Sequence, residues 1–188
     1  MSFFHEQKFD KVDYIDIQFV KGEYESCIFN NCNFMNVNIS ESKFIDCTFR
    51  NCNLSLADLS ISNFQDTKFI DCKMLGLRFD TCNDFGLSFS FNNCILNDSS
   101  FYKLKIESTI FENCQLKSVD FTGSNLSKCQ FNNCDFAKSM FENTNLEKAD
   151  LATSFNFEID PEINKIKKAK FSISNLIGLL SKYQIVIK

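Results

Sequence analysis

The sequence predicts a single repetitive solenoid, in which short segments of similar sequence form stacked coils. Three observations lead to this fold class. An apolar residue recurs every five positions, a longer motif recurs about every 20 positions, and the composition is skewed towards one aromatic residue. The 188 residues include 23 Phe but no Trp and only one Pro, as expected if one structural position is filled repeatedly.

The five-residue period runs through most of the chain. An apolar residue occupies all 24 of the expected positions, which are Phe29, Phe34, Ile39, Phe44, Phe49, Leu54, Leu59, Phe64, Phe69, Met74, Phe79, Phe91, Leu96, Phe101, Ile106, Phe111, Leu116, Phe121, Leu126, Phe131, Phe136, Phe141, Leu146 and Leu151. Two residues earlier the side chain is small or β-branched at 21 of them, with Leu77, Phe89 and Leu104 as the exceptions. A period of five fits neither an α-helix nor the alternation of a simple strand.

The motif Phe-x-Asn/Asp-Cys gives the length of one coil. Its first residues, Phe29, Phe49, Phe69, Phe91, Phe111 and Phe131, follow one another in steps of 20, 20, 22, 20 and 20 residues. Four pentapeptides therefore make one coil, and equivalent residues stack along the axis. We expect a core ladder of these Phe residues and of the cysteines that end the motif, Cys32, Cys52, Cys72, Cys94, Cys114 and Cys134.

This pattern resembles the pentapeptide repeat family, whose unit is a small residue, Asp or Asn, Leu or Phe, and two polar residues. The resemblance covers roughly residues 9–155 and implies an all-β fold, a right-handed quadrilateral parallel β-helix. One large and one small inward residue on each side would fill its narrow interior at normal core density. We therefore assign residues 1–155 to this β-helix, about seven and a half coils long, or roughly 35 Å at about 4.8 Å per coil.

The coil at residues 69–90 carries two extra residues, near positions 81–86. Gly86 is suited to the positive φ that a bulge requires. Two interpretations stay open for this insertion: a projection that a partner recognises through Asp84 and Phe85, or a surface insertion that the fold tolerates by local repacking.

Residues 156–188 are predicted to form a C-terminal capping or dimerisation segment. Residues 172–183 have the pattern of a short amphipathic α-helix, with Ser172 or Ser174 as its N-cap, and 184–188 that of a short strand. The apolar residues of the helix are Leu176, Ile177, Leu179, Leu180 and Tyr183. They either cover the last coil or pair with a second copy. The quinolone-resistance members of the family dimerise through a C-terminal module, so the resemblance favours a homodimer.

No set of residues indicates catalysis, a metal or a cofactor, and we expect a protein that is not an enzyme. Nine of the ten cysteines fall at the small inward position, where Cys acts as a compact apolar residue, and only Cys82 is a candidate for an exposed thiol. The amide column Asn31, Asn51, Asp71, Asn93, Asn113 and Asn133 is expected at the corners, where Asn bonds its own backbone. Asp58, Asp120, Asp135 and Asp150 fall at an outward polar position.

Charge and hydropathy limit the partners. Residues 1–158 hold 22 acidic and 14 basic residues, a net charge of −8, whereas residues 159–188 hold two and six, a net charge of +4. The sequence shows no membrane span and no leader peptide, so we expect a cytoplasmic protein that does not bind membranes. Direct binding to nucleic acid is disfavoured, because the basic cluster at Lys165, Lys167, Lys168 and Lys170 is small.

Two functions remain. The chain resembles the quinolone-resistance pentapeptide proteins, which implies a DNA mimic that binds DNA gyrase or topoisomerase IV and protects it from quinolones. Acidic residues such as Asp120 and Glu142 would then contact the enzyme. The alternative is a general scaffold for protein–protein interaction, with contacts concentrated near Phe85 or Leu176.

Overall fold

The computed structural model describes residues 2–186 and shows a four-sided parallel β-solenoid of about eight coils. Its thirteen short strands are β1 (Ser2–His5), β2 (Lys8–Asp10), β3 (Gly22–Glu25), β4 (Ile28–Asn30), β5 (Lys43–Ile45), β6 (Thr48–Arg50), β7 (Asn63–Gln65), β8 (Thr67–Ile70), β9 (Phe89–Asn92), β10 (Ile110–Glu112), β11 (Gln130–Asn132), β12 (Asp150–Leu151) and β13 (Lys170–Phe171). The quadrilateral β-helix predicted from the sequence is confirmed.

Each coil presents four sides, which we number in chain order. Side 1 is centred on Phe4, Tyr24, Phe44, Phe64, Ile106, Leu126 and Leu146; side 2 on Phe9, Phe29, Phe49, Phe69, Phe91, Phe111, Phe131, Leu151 and Phe171; side 3 on Tyr14, Phe34, Leu54, Met74, Leu96, Leu116 and Phe136; and side 4 on Phe19, Ile39, Leu59, Phe79, Phe101, Phe121 and Phe141. Coil 1 comprises residues 2–21, coil 4 residues 62–81, and coil 5, which is longer, residues 82–103.

Parallel pairing joins each coil to the next. On side 2, nine strands form one sheet along the whole rod, in the order β13-β12-β11-β10-β9-β8-β6-β4-β2. On side 1, β1, β3, β5 and β7 form a four-stranded sheet that ends at the insertion. Sides 3 and 4 are held by single-residue bridges such as Asn33–Asn53 and Ser100–Asp120. The register of the side 2 strands continues across the insertion, because Phe69 pairs with Phe91.

The core is the predicted ladder. All 24 central residues of the sequence pattern are buried, as are the six cysteines of the repeated motif. On side 2 the rings stack from coil to coil; the Phe91 and Phe111 centroids lie 5.0 Å apart, as do those of Phe111 and Phe131. Such stacked pairs add about 0.5–1.5 kcal/mol each to the burial of the rings. The ladder also begins earlier than the sequence pattern suggested, with Phe4 stacked on Tyr24.

The corners are turned by one left-handed residue per pentapeptide. The residue two positions after the central one has a positive φ along most of the chain, as at Asn31 (53°) and Asn51 (52°). Gly86, expected to have positive φ, does so at 67°. Ile61 adopts φ 61° although it is β-branched, which makes it a strained corner.

The C-terminal segment is helical where predicted, but the helix type was wrong. Residues Ile173–Leu179 and Ser181–Tyr183 form 3₁₀ helices, not an α-helix. Leu180 N–H donates to the carbonyl of Ile177, three residues back. Ser172 is the N-cap by backbone conformation, but its side chain makes no capping bond. The predicted strand at 184–188 is not formed at Ile185 and Val186, and residues 187–188 lie outside the described part.

Within residues 2–186, no helix is long and apolar enough to cross a membrane.

Candidate interaction surfaces

The cysteine column is part of the core. Each thiol of the repeated motif donates to the carbonyl of the central Phe one coil below, as Cys52 Sγ does to Phe29 O at 3.3 Å. All ten cysteines are free and buried. The expectation that Cys82 would be exposed is wrong. It lies 20 residues after Ser62, at the same inward position, and its Sγ is 3.6 Å from Ser62 Oγ. Burial raises the pKa of the Cys82 thiol to about 12.

The two polar columns have different structural roles from those expected. The column at Asn31 and Asn93 turns the corners and bonds between coils; Asn93 Nδ2 donates to Asp71 Oδ1 at 3.1 Å. The backbone turns are capped instead by the outward acids and amides. Asp120 Oδ1 accepts the Thr122 N–H at 2.8 Å, and Asp58 Oδ1 accepts the Ser60 N–H at 3.0 Å. Hydrogen bonds from Ser60 also lower the pKa of Asp58.

The insertion forms a short projecting loop at residues 83–88 on side 1. Asn63 Nδ2 donates to the carbonyl oxygens of Asn83 (3.2 Å) and Phe85 (2.8 Å) and so fixes the base of the loop. Ser88 Oγ closes the other end through Asp66 Oδ1 at 3.1 Å. Because the loop is anchored at both ends, it presents Phe85 outward in a defined position.

Phe85 and Ile61 make an exposed apolar pair at the corner between sides 4 and 1. Phe85 is 81% exposed and Ile61 is 66% exposed, and both line a shallow pocket of about 250 Å³. Asp84, the other predicted contact residue of the loop, is also exposed. An anchored aromatic side chain that is mostly in solvent is a candidate anchor for a protein interface.

Side 4 is the most acidic surface of the rod. Together with residues 159–163, which continue it, side 4 carries seven acidic and three basic residues, a formal charge of −4, whereas sides 1, 2 and 3 carry −1, +1 and −2. The acids are Glu41, Asp58, Asp80, Asp120, Glu142, Asp160 and Glu162. The structure therefore brings Asp120 and Glu142, the two acids singled out in the sequence, onto the same side.

Several acids of side 4 are already neutralised. Arg78 Nη2 lies 2.6 Å from Asp80 Oδ2, and Lys21 Nζ lies 3.2 Å from Glu41 Oε1. Lys182, from the C-terminal segment, contacts Asp160 at 2.7 Å and Glu162 at 2.6 Å. The acids without an ion pair in the described chain are Asp58, Asp120 and Glu142.

The C-terminal segment covers the last coil and leaves an apolar surface on its outer face. Gly178 packs against Phe157, and its carbonyl accepts the Ile159 N–H at 2.9 Å. Of the five residues predicted for this surface, Leu179 is half-buried and packs against the core, and Leu180 is half-buried. Leu176, Ile177 and Tyr183 are exposed. Ile173, which the helical pattern did not single out, is 90% exposed. A groove of about 590 Å³ beside the helix is lined by Ile177, Leu180 and Ile185.

No grouping of three or more His, Cys, Asp or Glu side chains suited to a metal ion occurs between residues 2 and 186. His5 lies at the exposed start of the rod, with Glu25 Oε2 3.5 Å from its Nδ1.

The chain is similar to known proteins in its repeat pattern and in its fold. A family model described as a pentapeptide repeat region matches residues 22–89 and 87–155. No curated protein matches the sequence. A structure of a trypsin-treated variant of QnrB1, a plasmid-mediated fluoroquinolone resistance protein, superposes with a TM-score of 0.78 at 17% identity, covering 100% of this chain and 92% of that one. HetL, a pentapeptide repeat protein involved in heterocyst differentiation regulation in the cyanobacterium Nostoc, superposes with a TM-score of 0.66 at 11% identity, covering 90% and 85%. At these identities the likeness shows the fold alone.

Proposed function

The chain belongs to the pentapeptide repeat family, and from that premise we propose that it is a non-catalytic, protein-binding rod whose acidic side 4 imitates DNA towards a type II topoisomerase. The observation that carries the proposal is the concentration of acidic residues on one side of a rod, in a row that runs parallel to its axis. Similarity in shape along the whole chain to a fluoroquinolone resistance protein supports it. The encounter would take place in the cytoplasm, where DNA gyrase and topoisomerase IV act.

The charge of side 4 determines what kind of mimicry is feasible. Duplex DNA carries about one charge per 1.7 Å, or roughly 20 over a rod of about 35 Å. Side 4 has seven acids, of which Asp58, Asp120 and Glu142 lack an ion pair in the described chain. Charge alone therefore gives weak, salt-sensitive binding. The apolar pair Ile61 and Phe85 borders side 4 and would supply the desolvated anchor of the contact.

A homodimer through residues 156–188 is the second part of the proposal. Exposed Ile173, Leu176 and Ile177 lie together on the outer face of the terminal 3₁₀ helix, where burial against a second copy removes apolar surface from water. A two-fold dimer would place two rods end to end, with residues 1–155 as the rod of each copy. Light scattering at micromolar concentration should give twice the 21.7 kDa chain mass. A monomer mass would reject the dimer.

That the protein is not an enzyme is part of the proposal, and the filled interior supports it. A filled solenoid leaves no enclosed, water-poor cavity in which acid and base could be aligned, and the outward carboxylates already serve as turn caps. Direct nucleic-acid binding is disfavoured by the net acidity of three of the four sides.

A DNA gyrase supercoiling assay with a fluoroquinolone, titrated with the purified protein, tests the proposal. We expect restored supercoiling in the presence of drug, or direct inhibition without it. The double variant Asp120→Lys/Glu142→Lys should lose this effect, and its difference from the parent protein should be largest at low salt, where charges are least screened. Glu112→Lys, an exposed charge reversal on side 2, should keep the effect. No effect on gyrase or topoisomerase IV at tens of micromolar protein would reject topoisomerase binding.

A second candidate function is a scaffold for another protein. The exposed apolar pair at the insertion favours it, because that contact needs no charge. In that case Phe85→Ser would abolish capture of the partner in a pull-down, and the capture would change little with salt. Sensitivity to Asp120→Lys/Glu142→Lys together with a steep salt dependence would reject the scaffold.

A further inference from the structure

On side 4, the first coil does not reach the second, and the parallel ladder has a gap there. Coil 1 pairs with coil 2 on the other three sides, through β1 with β3, β2 with β4, and the bridge Asp13–Asn33. Neither a strand nor a bridge joins residues 17–21 to residues 37–41 in the described structure. The ladder of side 4 therefore starts one coil late, with the Asn38–Asp58 bridge.

A turn built on Asp13 causes the gap. The Ile17 N–H donates to the Asp13 carbonyl at 3.1 Å, and the Ile15 N–H donates to Asp13 Oδ1 at 3.0 Å. This turn carries residues 14–17 away from the square path of the coil. The chain returns at Phe19, which is buried, and Lys21 Nζ then reaches Ser40 Oγ at 2.6 Å. The segment thus passes around an open space and rejoins coil 2 beyond it.

The gap exposes backbone groups whose equivalents are paired between coils 2 and 3, although not in every coil, since in the described structure side 4 also lacks a bridge between Asp58 and Arg78. Between coils 2 and 3, the Asp58 N–H donates to Val37 O at 3.0 Å and the Ile39 N–H donates to Asp58 O at 3.1 Å. The equivalent groups of Asn38, its N–H and its C=O, have no hydrogen-bond partner among residues 2–186. The same holds for the Met35 carbonyl, whose counterpart one coil later, Ser55 O, accepts the Asn36 N–H at 3.0 Å. These three groups form a short, unpaired strand edge.

Apolar side chains surround this edge. Exposed Ile15, Val20 and Met35 line a groove of about 820 Å³ together with Tyr14 and Phe19. The side of the groove next to Asn38 also carries the amide residues Gln18 and Asn36. Among residues 2–186, Lys21 is the only charged residue that lines the groove, and it already contacts Ser40 and Glu41. The groove therefore combines unpaired backbone hydrogen-bonding groups with walls that are mainly apolar and carry no available charge.

We propose that this groove docks an extended, uncharged apolar segment of a partner protein, which completes side 4 of coil 1 by β-strand addition. The unpaired backbone groups of Met35 and Asn38 favour an extended segment over other ligands. A helix satisfies its own backbone and would leave the Asn38 N–H and C=O unused, and a phosphate or carboxylate finds no available cation. A parallel segment of about six residues would form the backbone hydrogen bonds that coil 1 does not make, to Met35 O, Asn38 N–H and Asn38 O. The site lies at the opposite end of the rod from the C-terminal segment and does not depend on topoisomerase binding.

Amide hydrogen exchange with a defined peptide tests the proposal. In the protein alone, the Asn38 amide should exchange far faster than the paired Asp58 amide. The probe is the hexapeptide Thr-Val-Thr-Val-Thr-Val, acetylated and amidated, and its control is the same peptide N-methylated at alternate residues. The unmodified peptide should slow Asn38 exchange about tenfold or more, as expected for a new intermolecular hydrogen bond, and the methylated peptide should not.

A pair of matched variants locates the site. Met35 and Met140 are exposed to similar extents, 40% and 48%. Met140 lies five coils further along the rod and so is far from the groove. Met35→Lys should weaken peptide binding about tenfold, as expected when a charge is introduced into an apolar contact, whereas Met140→Lys should leave it unchanged. Equal binding of both peptides, or no change at Asn38 at millimolar peptide, would overturn the proposal. So would protection of Asn38 in the protein alone. If that protection grew with protein concentration, it would assign the groove to a second copy.

Discussion

Replacing Gly178 by Ala is expected to detach the terminal 3₁₀ helix, Ile173–Leu179, from the end of the rod. A Cβ at Gly178 would overlap the carbonyl oxygen of Phe157 and lie 2.7 Å from its ring carbon Cδ2. Neither obstacle is the mobile end of a flexible side chain, because one is backbone and the other is a ring packed in the core. The helix must therefore move outward, and the hydrogen bond from Ile159 N–H to Gly178 O is lost.

The size of the effect follows from what the helix covers. Phe157 and Ile159 are buried beneath it, and full burial of such side chains contributes about 1.5–3 kcal/mol each. If half of that burial is lost, the cost is about 2 kcal/mol, and the hydrogen bond adds about 1 kcal/mol. Docking of the helix should therefore weaken by about 3 kcal/mol, or roughly 100-fold.

Hydrogen exchange of residues 173–186, followed by mass spectrometry, measures this docking directly. Gly123→Ala is the matched control, because the same atoms are added at an exposed corner with φ 70°, where the cost is about 1 kcal/mol of backbone strain. We expect exchange of residues 173–186 to accelerate in Gly178→Ala and to be unchanged in Gly123→Ala. Protection within threefold of the parent protein in Gly178→Ala would refute the reasoning that the packing at Gly178 holds the cap.

Three further perturbations probe the rod itself. Phe111→Ala removes a ring stacked on both neighbours and should lower the free energy of unfolding by about 3–5 kcal/mol in denaturant titrations; a loss below 1 kcal/mol would contradict the ladder. Ile61→Asn places a residue that tolerates the left-handed region at a strained, exposed corner, and should raise the thermal midpoint by relieving about 1 kcal/mol; a lower midpoint would show that Ile61 is held by contacts. Burial raises the pKa of the Cys47, Cys82 and Cys129 thiols from 9.0 to about 12. The unfolded chain therefore loses these protons above pH 9 while the folded chain keeps them, and the free energy of unfolding should fall between pH 9 and 12; a flat profile there would show that the thiols are not shielded.

The sequence was most informative where one structural position repeats. Phe29 and Phe69 could be placed in one ladder because coils of constant length allow the register to be counted along the sequence. The same counting would have placed Cys82 correctly, since it follows Ser62 by 20 residues and the extra residues come after it. It was missed because the whole coil at 69–90 was treated as irregular.

Other features depend on contacts that a repeat pattern does not encode. Short amphipathic patterns do not separate three from 3.6 residues per turn, so the helix at Ile173–Leu179 was taken for α-helix. The two extra residues are accommodated entirely within side 1. Side 4 therefore stays in register in the later coils, and Asp120 and Glu142 lie on the same side. The detour of residues 14–17 depends on the Asp13 turn, which resembles the other Asx turns of the chain in sequence.

The insertion also determines how the rod would respond to mechanical load. Hydrogen bonds between coils run along the axis, so tension applied at the two ends loads the coil interfaces in series. The loop at residues 83–88 pairs with coil 4 through Asn83 N–H and Ser88 N–H, but in the described structure it forms no backbone bond to residues 104–108 of the next coil. The interface between coils 5 and 6 therefore bears the load on three sides instead of four, as does the interface between coils 1 and 2. Under a steady pull, extension should begin at one of these two interfaces, and opening between coils 5 and 6 would divide the molecule into two blocks of similar length.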